Sequence, residues 1–341
     1  MTDLAPPPAP APAPEPEIVV ARLPYHRLYR AQPTYRWWRP LVAILLAAVF
    51  FLGVSILVAI PVFVVLFATN AIDFLSPNAQ DEVTSYLLPD MARPWTLIFG
   101  LGSIILVLPL VPLALRIAGI RPTGVRVSIL HSVLFSLRWR WLAVATLPAL
   151  LVWVLTTGVQ LALGIAAGEQ LGEFTTPLGT YLLSVLIVVL LVPVQAATEE
   201  YLYRGILLQS FGAWVRFAPV PIVASAVLFG VSHAYDGWGI LQVTIMGVGF
   251  AIATVRTGGL EAAIALHAVN NIGVFALTGT GVFGETGMTQ DTGGPVAVIG
   301  QLVTVVLWLG ALELVARRAK VERLSRIGVP VLPGMPGPPT R

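Results

Sequence analysis

ATEEYLYRGILLQ, residues 197–209, sets two adjacent carboxylates and an arginine inside a long apolar run. A charged side chain at bilayer depth is costly, so it is usually kept for function or paired with another group. The stretch therefore predicts a membrane-embedded site whose first candidates are Glu199, Glu200 and Arg204. A structural salt bridge in a transporter or channel stays open as the alternative at this point.

Helical spacing separates the roles of these three residues. Glu200 and Arg204 are four positions apart and share one face of a helix, whereas Glu199 points about 100° away from Glu200. We therefore expect Glu200 and Arg204 to neutralise each other and hold the helix. Glu199 is then left as the carboxylate that can serve as a general base.

The composition of the whole chain agrees with a membrane setting. Hydrophobic residues make up 57% of the 341 positions and charged residues 11%, and the mean hydropathy is +0.85. A soluble domain carries about 25% charged residues, so the composition predicts an integral membrane protein. The net charge of +3 does not indicate a nucleic acid partner, because the arginines cluster beside apolar spans. The chain has no cysteine, which excludes thiolate chemistry and cysteine-ligated metals.

Apolar runs that meet or approach the length of about 20 residues needed by a helical span recur along the chain. They lie near 41–69, 95–115, 141–164, 178–198, 219–235, 238–255, 259–279 and 295–316. The fourth run is expected to continue as one tilted helix to about Trp214. The predicted fold class is all-α, a polytopic membrane bundle of about eight transmembrane helices.

The loops between these runs alternate in charge. Every second loop is rich in arginine, and the positive-inside rule then places both termini of this multi-pass protein in the cytoplasm. The segment 119–141 is too polar to span and is expected to lie on the inner surface of the membrane.

Three regions are expected along the chain. Residues 1–40 comprise a disordered Pro/Ala-rich tail and an Arg/Trp-rich juxtamembrane anchor, 41–318 form the helix bundle, and 319–341 form a cytoplasmic tail. Within that last tail, 327–341 is rich in Pro and Gly and is expected to be disordered.

Four histidines occur, and two of them fall inside predicted spans. His26 and His131 lie in the anchor and the surface segment, where a solvated or interfacial side chain is the expected state. His233 and His267 lie in spans, where an ionisable imidazole needs a partner. Together with the glutamate-bearing span they predict one shared site.

Residues four positions from each span histidine extend this site. Phe229 precedes His233 by one helical turn, so its ring can pack below the imidazole. Asn271 follows His267 by one turn, so their polar heads can converge on one point. Asn270 approaches the same face less directly.

The polar residues described above form three motifs along the chain, one each on the fourth, fifth and seventh spans. In their residues and their order these motifs resemble the signature of the CPBP family of intramembrane proteases. The family includes the type II CAAX prenyl proteases and the bacterial Abi and lysostaphin-resistance-like proteins. The resemblance covers about 178–279. The motifs are Glu199-Glu200-x-x-x-Arg204, Phe229-x-x-x-His233 and His267-x-x-x-Asn271.

The resemblance implies an endopeptidase that cleaves a peptide bond in or near the bilayer. In that scheme Glu199 would activate the attacking water, and His233 would help to position and deprotonate it. His267 and Asn271 would donate hydrogen bonds to the oxyanion, and the ion pair of the first motif would hold the shape of the site. The implied substrate is a membrane protein or a lipidated or secreted peptide, reached within membrane lipid.

The use of a metal is left open by the residues. The family is commonly labelled metalloprotease, and Glu199, His233 and His267 would suit Zn²⁺ with an open water position. The same residues can also work without a metal, and Asn271, a poor zinc ligand, favours that scheme.

A different class of function is also compatible with the buried charges. A non-catalytic scaffold or a proton-coupled transporter could use the same Glu, Arg and His residues. A transporter is expected to show repeat symmetry or paired broken helices, and neither is visible in the sequence.

Overall fold

The computed structural model describes residues 17–32, 35–124, 126–287 and 293–331. The predicted Pro/Ala-rich tail up to residue 16 lies outside the described residues, as does 332–341. Within the described part, helices dominate and the only sheet has two strands. The protein is therefore the all-α polytopic bundle that the sequence predicts.

Within the described ranges, seven helices are long and apolar enough to cross a membrane. Two of these spans are composite, since α3 and α4 share one span and α6 continues through a π-helical segment into α7. The helices are α1 (Arg39–Ala68), α2 (Ala79–Leu87), α3 (Pro94–Ile105), α4 (Leu110–Ile117), α5 (Trp139–Ala166), α6 (Leu178–Glu200), α7 (Gln209–Trp214), α8 (Pro219–Val231), α9 (Gly237–Thr257), α10 (Glu261–Thr278) and α11 (Pro295–Arg318).

The fifth of the eight predicted apolar runs is the exception in length. It forms α8, a helix of 13 residues that ends at Val231. His233 was predicted inside a span, and this placement is wrong, because His233 lies in the turn that joins α8 to α9. The turn ends at Asp236, whose side chain accepts a hydrogen bond from the Gly239 backbone N–H at 2.8 Å and so caps α9.

The surface of the bundle is apolar where the spans are. Large aliphatic side chains on different spans stay more than half exposed, including Leu52, Leu147, Leu190 and Val306. An apolar belt of this size is not stable in water, and it matches the hydrocarbon of a bilayer. The belt, together with the seven spans, supports a multi-pass membrane location.

The two ends of the described chain pair with each other. Strand β1 (Glu17–Pro24) and strand β2 (Leu324–Val331) are antiparallel, with Pro24 opposite Leu324. The expectation that the chain is disordered from Ile327 onward is therefore wrong as far as Val331. Since the strands pair, both ends of the described chain lie at the same end of the bundle. This end also carries Arg138, Arg317 and Arg323 and is called the arginine-rich end below.

A short 3₁₀ helix, Tyr25–Ala31, packs against the arginine-rich end of the bundle. The Tyr29 hydroxyl donates to the Gly205 carbonyl at 3.1 Å, and the His26 backbone approaches Gly212 so closely that a Cβ there would meet it. His26 was expected to be solvated or interfacial. It is not solvated, because only 4% of it is exposed. Burial, with a smaller effect from the Arg27 charge, lowers the pKa of His26 to about 4.

Within the polar segment before α5, residues 128–133 are buried. His131, expected to be solvated or interfacial, is 7% exposed, and its Nδ1 lies 2.6 Å from the Tyr201 hydroxyl. Arg138 forms a two-point ion pair with Glu261, with nitrogen–oxygen distances of 2.7 and 2.8 Å. These contacts fasten the segment to the start of α10, next to the span that carries the first motif.

Candidate active site

The first motif sits where a helix changes its winding. Glu199 and Glu200 end α6, and Tyr201–Leu208 continues the chain as a π-helix before α7 begins. The whole span from Leu178 to Trp214 is thus one continuous rod, as the sequence predicts. Short π-helical segments inside α-helices occur frequently at functional sites.

Glu200 and Arg204 form a fully buried ion pair. Arg204 Nη1 lies 3.0 Å from Glu200 Oε1, and both side chains are completely shielded. The other guanidinium nitrogen, Nη2, donates to the Gly247 carbonyl on α9 at 2.8 Å. The guanidinium also lies over the ring of Phe229 at 4.5 Å and over that of Phe250 at 5.1 Å. The pair therefore ties the first-motif span to α8 and α9 at no net charge.

Glu199 lies beside this pair and is held from one side only. Gln195, one turn earlier on α6, donates from Nε2 to Glu199 Oε1 at 2.6 Å. The second oxygen, Oε2, is buried and has no hydrogen-bond partner within the described part of the chain. Glu199 is 8% exposed. The carboxylate thus presents one oriented but unused oxygen in a sheltered position.

His267 lies between the two glutamates. Its Nδ1 is 2.9 Å from Glu200 Oε1 and its Nε2 is 3.4 Å from Glu199 Oε2. A carboxylate oxygen can only accept, so Nδ1 is the donor toward Glu200. A neutral ring would then direct the lone pair of Nε2 at Glu199. In that form Nε2 cannot donate to Glu199 Oε2, and this oxygen has no hydrogen-bond partner among the described residues.

The rings around His267 fix its plane. Phe250 stacks on the imidazole with centroids 5.0 Å apart and planes at 20°, and Phe229 meets it edge-on at 5.7 Å. Because these rings pack against the imidazole, it is 3% exposed. The arrangement orients both nitrogens along the line from Glu200 to Glu199.

His233 contacts the other site residues by way of Phe229, with which it makes a hydrogen bond and a ring contact. Its Nδ1 lies 2.7 Å from the Phe229 carbonyl oxygen, which can only accept. Nδ1 therefore carries the proton, and Nε2 keeps a lone pair. The Phe229 ring is in edge contact with both imidazoles, at 4.7 Å from His233 and 5.7 Å from His267. The ring thus lies between the second and third motifs.

Asn271 follows His267 on α10 and is half-buried. Its Oδ1 accepts a hydrogen bond from Asn270 Nδ2 at 3.1 Å. This hydrogen bond uses the side-chain oxygen of Asn271. The amide nitrogen of Asn271 is on the opposite side of the group from Asn270 and can act as a donor. Asn270, considered less direct in the sequence, acts on Asn271 rather than on His267.

Three contributors to the site had no signal in the sequence. Phe250 and the Gly247 carbonyl lie on α9, a helix with no motif residue. Tyr235 lies in the turn after His233 and stacks on its ring, with centroids 5.8 Å apart and planes at 18°. Burial, with a further effect of the Glu199 charge, raises the pKa of Tyr235 to about 12. Only its position two residues after His233 could have drawn attention to it.

A catalytic zinc ion needs three protein ligands around one open position. Within the described ranges, no group of three or more His, Cys, Asp or Glu side chains is arranged to hold one. His267 has one nitrogen on Glu200 and the other toward Glu199, and Phe229 lies between the two imidazoles. The set of Glu199, His233 and His267 thus does not form a zinc site in this arrangement. Zinc dependence stays a prediction that metal analysis can test.

Comparison with known proteins supports the resemblance seen in the motifs. Residues 179–273 match the family described as type II CAAX prenyl endopeptidase Rce1-like. An uncharacterized protein of Bacillus subtilis (strain 168), YyaK, is 32% identical over 93 residues, which is 24% of this chain and 30% of that protein. The chain thus aligns with about a third of that relative's length. No solved structure matches the chain. This match, over residues 179–273, supports the resemblance to CPBP-family intramembrane proteases that the three motifs indicated.

Proposed function

We propose that this protein is an intramembrane endopeptidase that hydrolyses a peptide bond in or near the bilayer. The observation that carries the proposal is the buried, unpartnered Oε2 of Glu199, 3.4 Å from His267 Nε2 and beside a neutralised ion pair. A sheltered carboxylate with one oriented free oxygen suits a general base. The family match supports a CAAX-type endopeptidase in general.

The first half of the proposed reaction forms the tetrahedral intermediate. Glu199 takes a proton from a water molecule while the water oxygen attacks the carbonyl carbon of the peptide. His233, whose proton is on Nδ1, accepts the second hydrogen of that water at Nε2 and so orients it. The carbonyl oxygen becomes an oxyanion at this step.

The second half breaks the carbon–nitrogen bond. Glu199 returns the proton to the amine nitrogen, and the products are a carboxylic acid and an amine. Asn271 donates to the oxyanion from its amide nitrogen. His267 can donate there only if Nε2 carries a proton, which makes the ring an imidazolium, and Glu200 at 2.9 Å from Nδ1 would stabilise that charge. Losing one such donor costs about 3 kcal/mol of barrier.

Tyr235 has a proposed part in the same step. Its ring stacks on His233, with centroids 5.8 Å apart, and fixes the plane of the imidazole. We infer that the hydroxyl supplies a further donor to the developing oxyanion. With a pKa of about 12 it keeps its proton throughout the usual assay range.

Tyr235→Phe is expected to lower kcat about 100-fold, because it removes one donor to the oxyanion, with little change in KM. The ring stack on His233 is retained in this variant. Since the hydroxyl is not titrated below about pH 11, the alkaline limb of the pH–rate profile should not move. Tyr86→Phe, far from the site, serves as the matched control. Unchanged kcat, or an alkaline limb displaced by a full pH unit, would contradict the role.

Metal removal is expected to leave the activity intact. The proposed steps use only side chains as proton carriers and donors, namely Glu199, His233, Tyr235, His267 and Asn271. We expect a protein stripped with chelator, with its metal content measured by mass spectrometry, to keep its full rate of cleavage. Activity that disappears on stripping and returns with Zn²⁺ alone would replace this scheme with the zinc scheme.

The natural substrate is expected to be a membrane protein or a lipidated or secreted peptide. Comparing the membrane and secreted proteomes of cells that express the native protein or Glu199→Gln should reveal it. The uncut form should accumulate, and a new terminus should disappear, only in the variant. Identical proteomes, with both proteins present in equal amounts, would favour a scaffold or transporter over a peptidase.

A further inference from the structure

A groove between two helices lies at the arginine-rich end of the bundle and contains none of the motif residues. This open groove of about 280 Å³ runs between α9 and α11. Its walls are apolar for most of their length, with Ile252 and Ala253 on one side and Leu309, Gly310 and Leu312 on the other. Arg256 and Glu313 line one part of it.

Three guanidinium groups converge on that part of the groove. Arg256, Arg317 and Arg323 each lie within 3.1 Å of the same oxygen, Glu313 Oε1. One carboxylate can neutralise only one of the three charges, so two positive charges remain in excess. Arg256 and Arg317 are 53% and 68% exposed, which leaves their outer faces open to an anion. The crowding of like charges makes such an anion favourable.

The backbone shape explains why the groove is there. At Gly249 the two helices are so close that a Cβ would meet Val305 Cγ1 at 2.7 Å. At Gly310, further toward the arginines, a Cβ would meet nothing within 4 Å. The two helices are therefore in contact at Gly249 and separate toward Gly310, which leaves the groove between them. The groove opens onto the apolar belt of the bundle and ends at the arginines.

We propose that this groove binds one anionic phospholipid of the leaflet at the arginine-rich end. An acyl chain lies along the apolar walls past Gly310, and the phosphate is bound by Arg256 and Arg317 above Glu313. The apolar walls of the groove match the acyl chain of such a lipid. The excess of positive charge at the end of the groove matches its phosphate. The proposal does not depend on the proposed peptidase activity.

Native mass spectrometry of the delipidated full chain, titrated with phosphatidylglycerol and with phosphatidylcholine of the same acyl chains, tests the site. We expect phosphatidylglycerol to bind at least tenfold more tightly. The double variant Arg256→Gln and Arg317→Gln should remove about tenfold of that preference. The matched control is Arg36→Gln with Arg326→Gln, two exposed arginines at the same end of the molecule.

Gly310→Leu tests the acyl chain separately from the charge. It fills open space in the groove without changing any ionic group, and we expect it to weaken binding of both lipids by about fivefold or more. Gly158→Leu on α5, where a Cβ also meets nothing within 4 Å, is the control. Equal binding of the two lipids, an unaffected Gly310→Leu, or an equal loss in the Arg36 and Arg326 control would each overturn the proposal.

Discussion

Glu199→Gln is expected to abolish peptide bond hydrolysis while leaving folded protein in the membrane. A general base contributes about 10²- to 10⁴-fold to the rate, and glutamine cannot take a proton from water. The variant keeps the size of the side chain and an oxygen that can accept from Gln195, which bonds Glu199 Oε1 at 2.6 Å. The measurement is the single-turnover rate of cleavage in reconstituted vesicles, with the thermal unfolding midpoint taken in parallel.

A matched substitution separates the loss of the base from the loss of a charge. Glu82→Gln makes the same change in an exposed position on α2, outside the site, and should leave the rate unaffected. Cleavage by Glu199→Gln at more than about a tenth of the native rate would refute the assignment of Glu199 as the base. A loss of folded protein in Glu199→Gln would instead point to a structural role.

Arg204→Ala should destabilise the protein as well as inactivate it. Removing one partner of a buried ion pair typically costs about 3–5 kcal/mol, because the other charge is left without compensation. Here Glu200 would lose a guanidinium 3.0 Å away, and the Gly247 carbonyl would lose its donor. We expect a lower midpoint of thermal unfolding in detergent and a loss of cleavage in the protein that remains folded.

Arg317→Ala is the control for this prediction. Arg317 also pairs with a glutamate four residues away, at 2.7 Å, but it is 68% exposed. Such a pair is worth at most about 1 kcal/mol, so the midpoint should hardly change. Glu200→Gln should resemble Arg204→Ala, because it too leaves a buried charge alone. If Arg204→Ala unfolds at the same temperature as Arg317→Ala, the buried pair does not hold the site together.

Local spacing accounts for what could be predicted about the first motif. The Glu200–Arg204 ion pair follows from their i,i+4 positions on one helix. The spans follow from apolar length. These predictions succeed because each depends on residues that are neighbours within one helix.

Contacts between distant segments account for what could not be predicted. The bridge from His267 to both glutamates depends on how α10 packs against α6, and the Phe250 stack depends on α9. Neither helix orientation can be derived from periodicity when all faces are apolar. The end of α8 before His233 was missed for a similar reason, since an apolar run does not reveal where a helix stops.

The burial of His26 and His131 shows a further limit. Both lie in segments whose composition resembles a solvated flank, yet each is covered by elements far away in the chain, such as α7 and the π-helical segment. The local composition predicted correctly that neither segment spans the membrane. It carried no information about which other segment would cover it.

The pairing of β1 with β2 has a consequence for biosynthesis. Glu17–Pro24 is synthesised before every span, whereas its partner Leu324–Val331 follows all of them. The earlier strand must therefore wait unpaired on its side of the membrane until translation has passed the last helix. Assembly at that end of the molecule is thus a late event, which a pulse-labelling experiment with limited proteolysis would register as delayed protection of Glu17–Pro24.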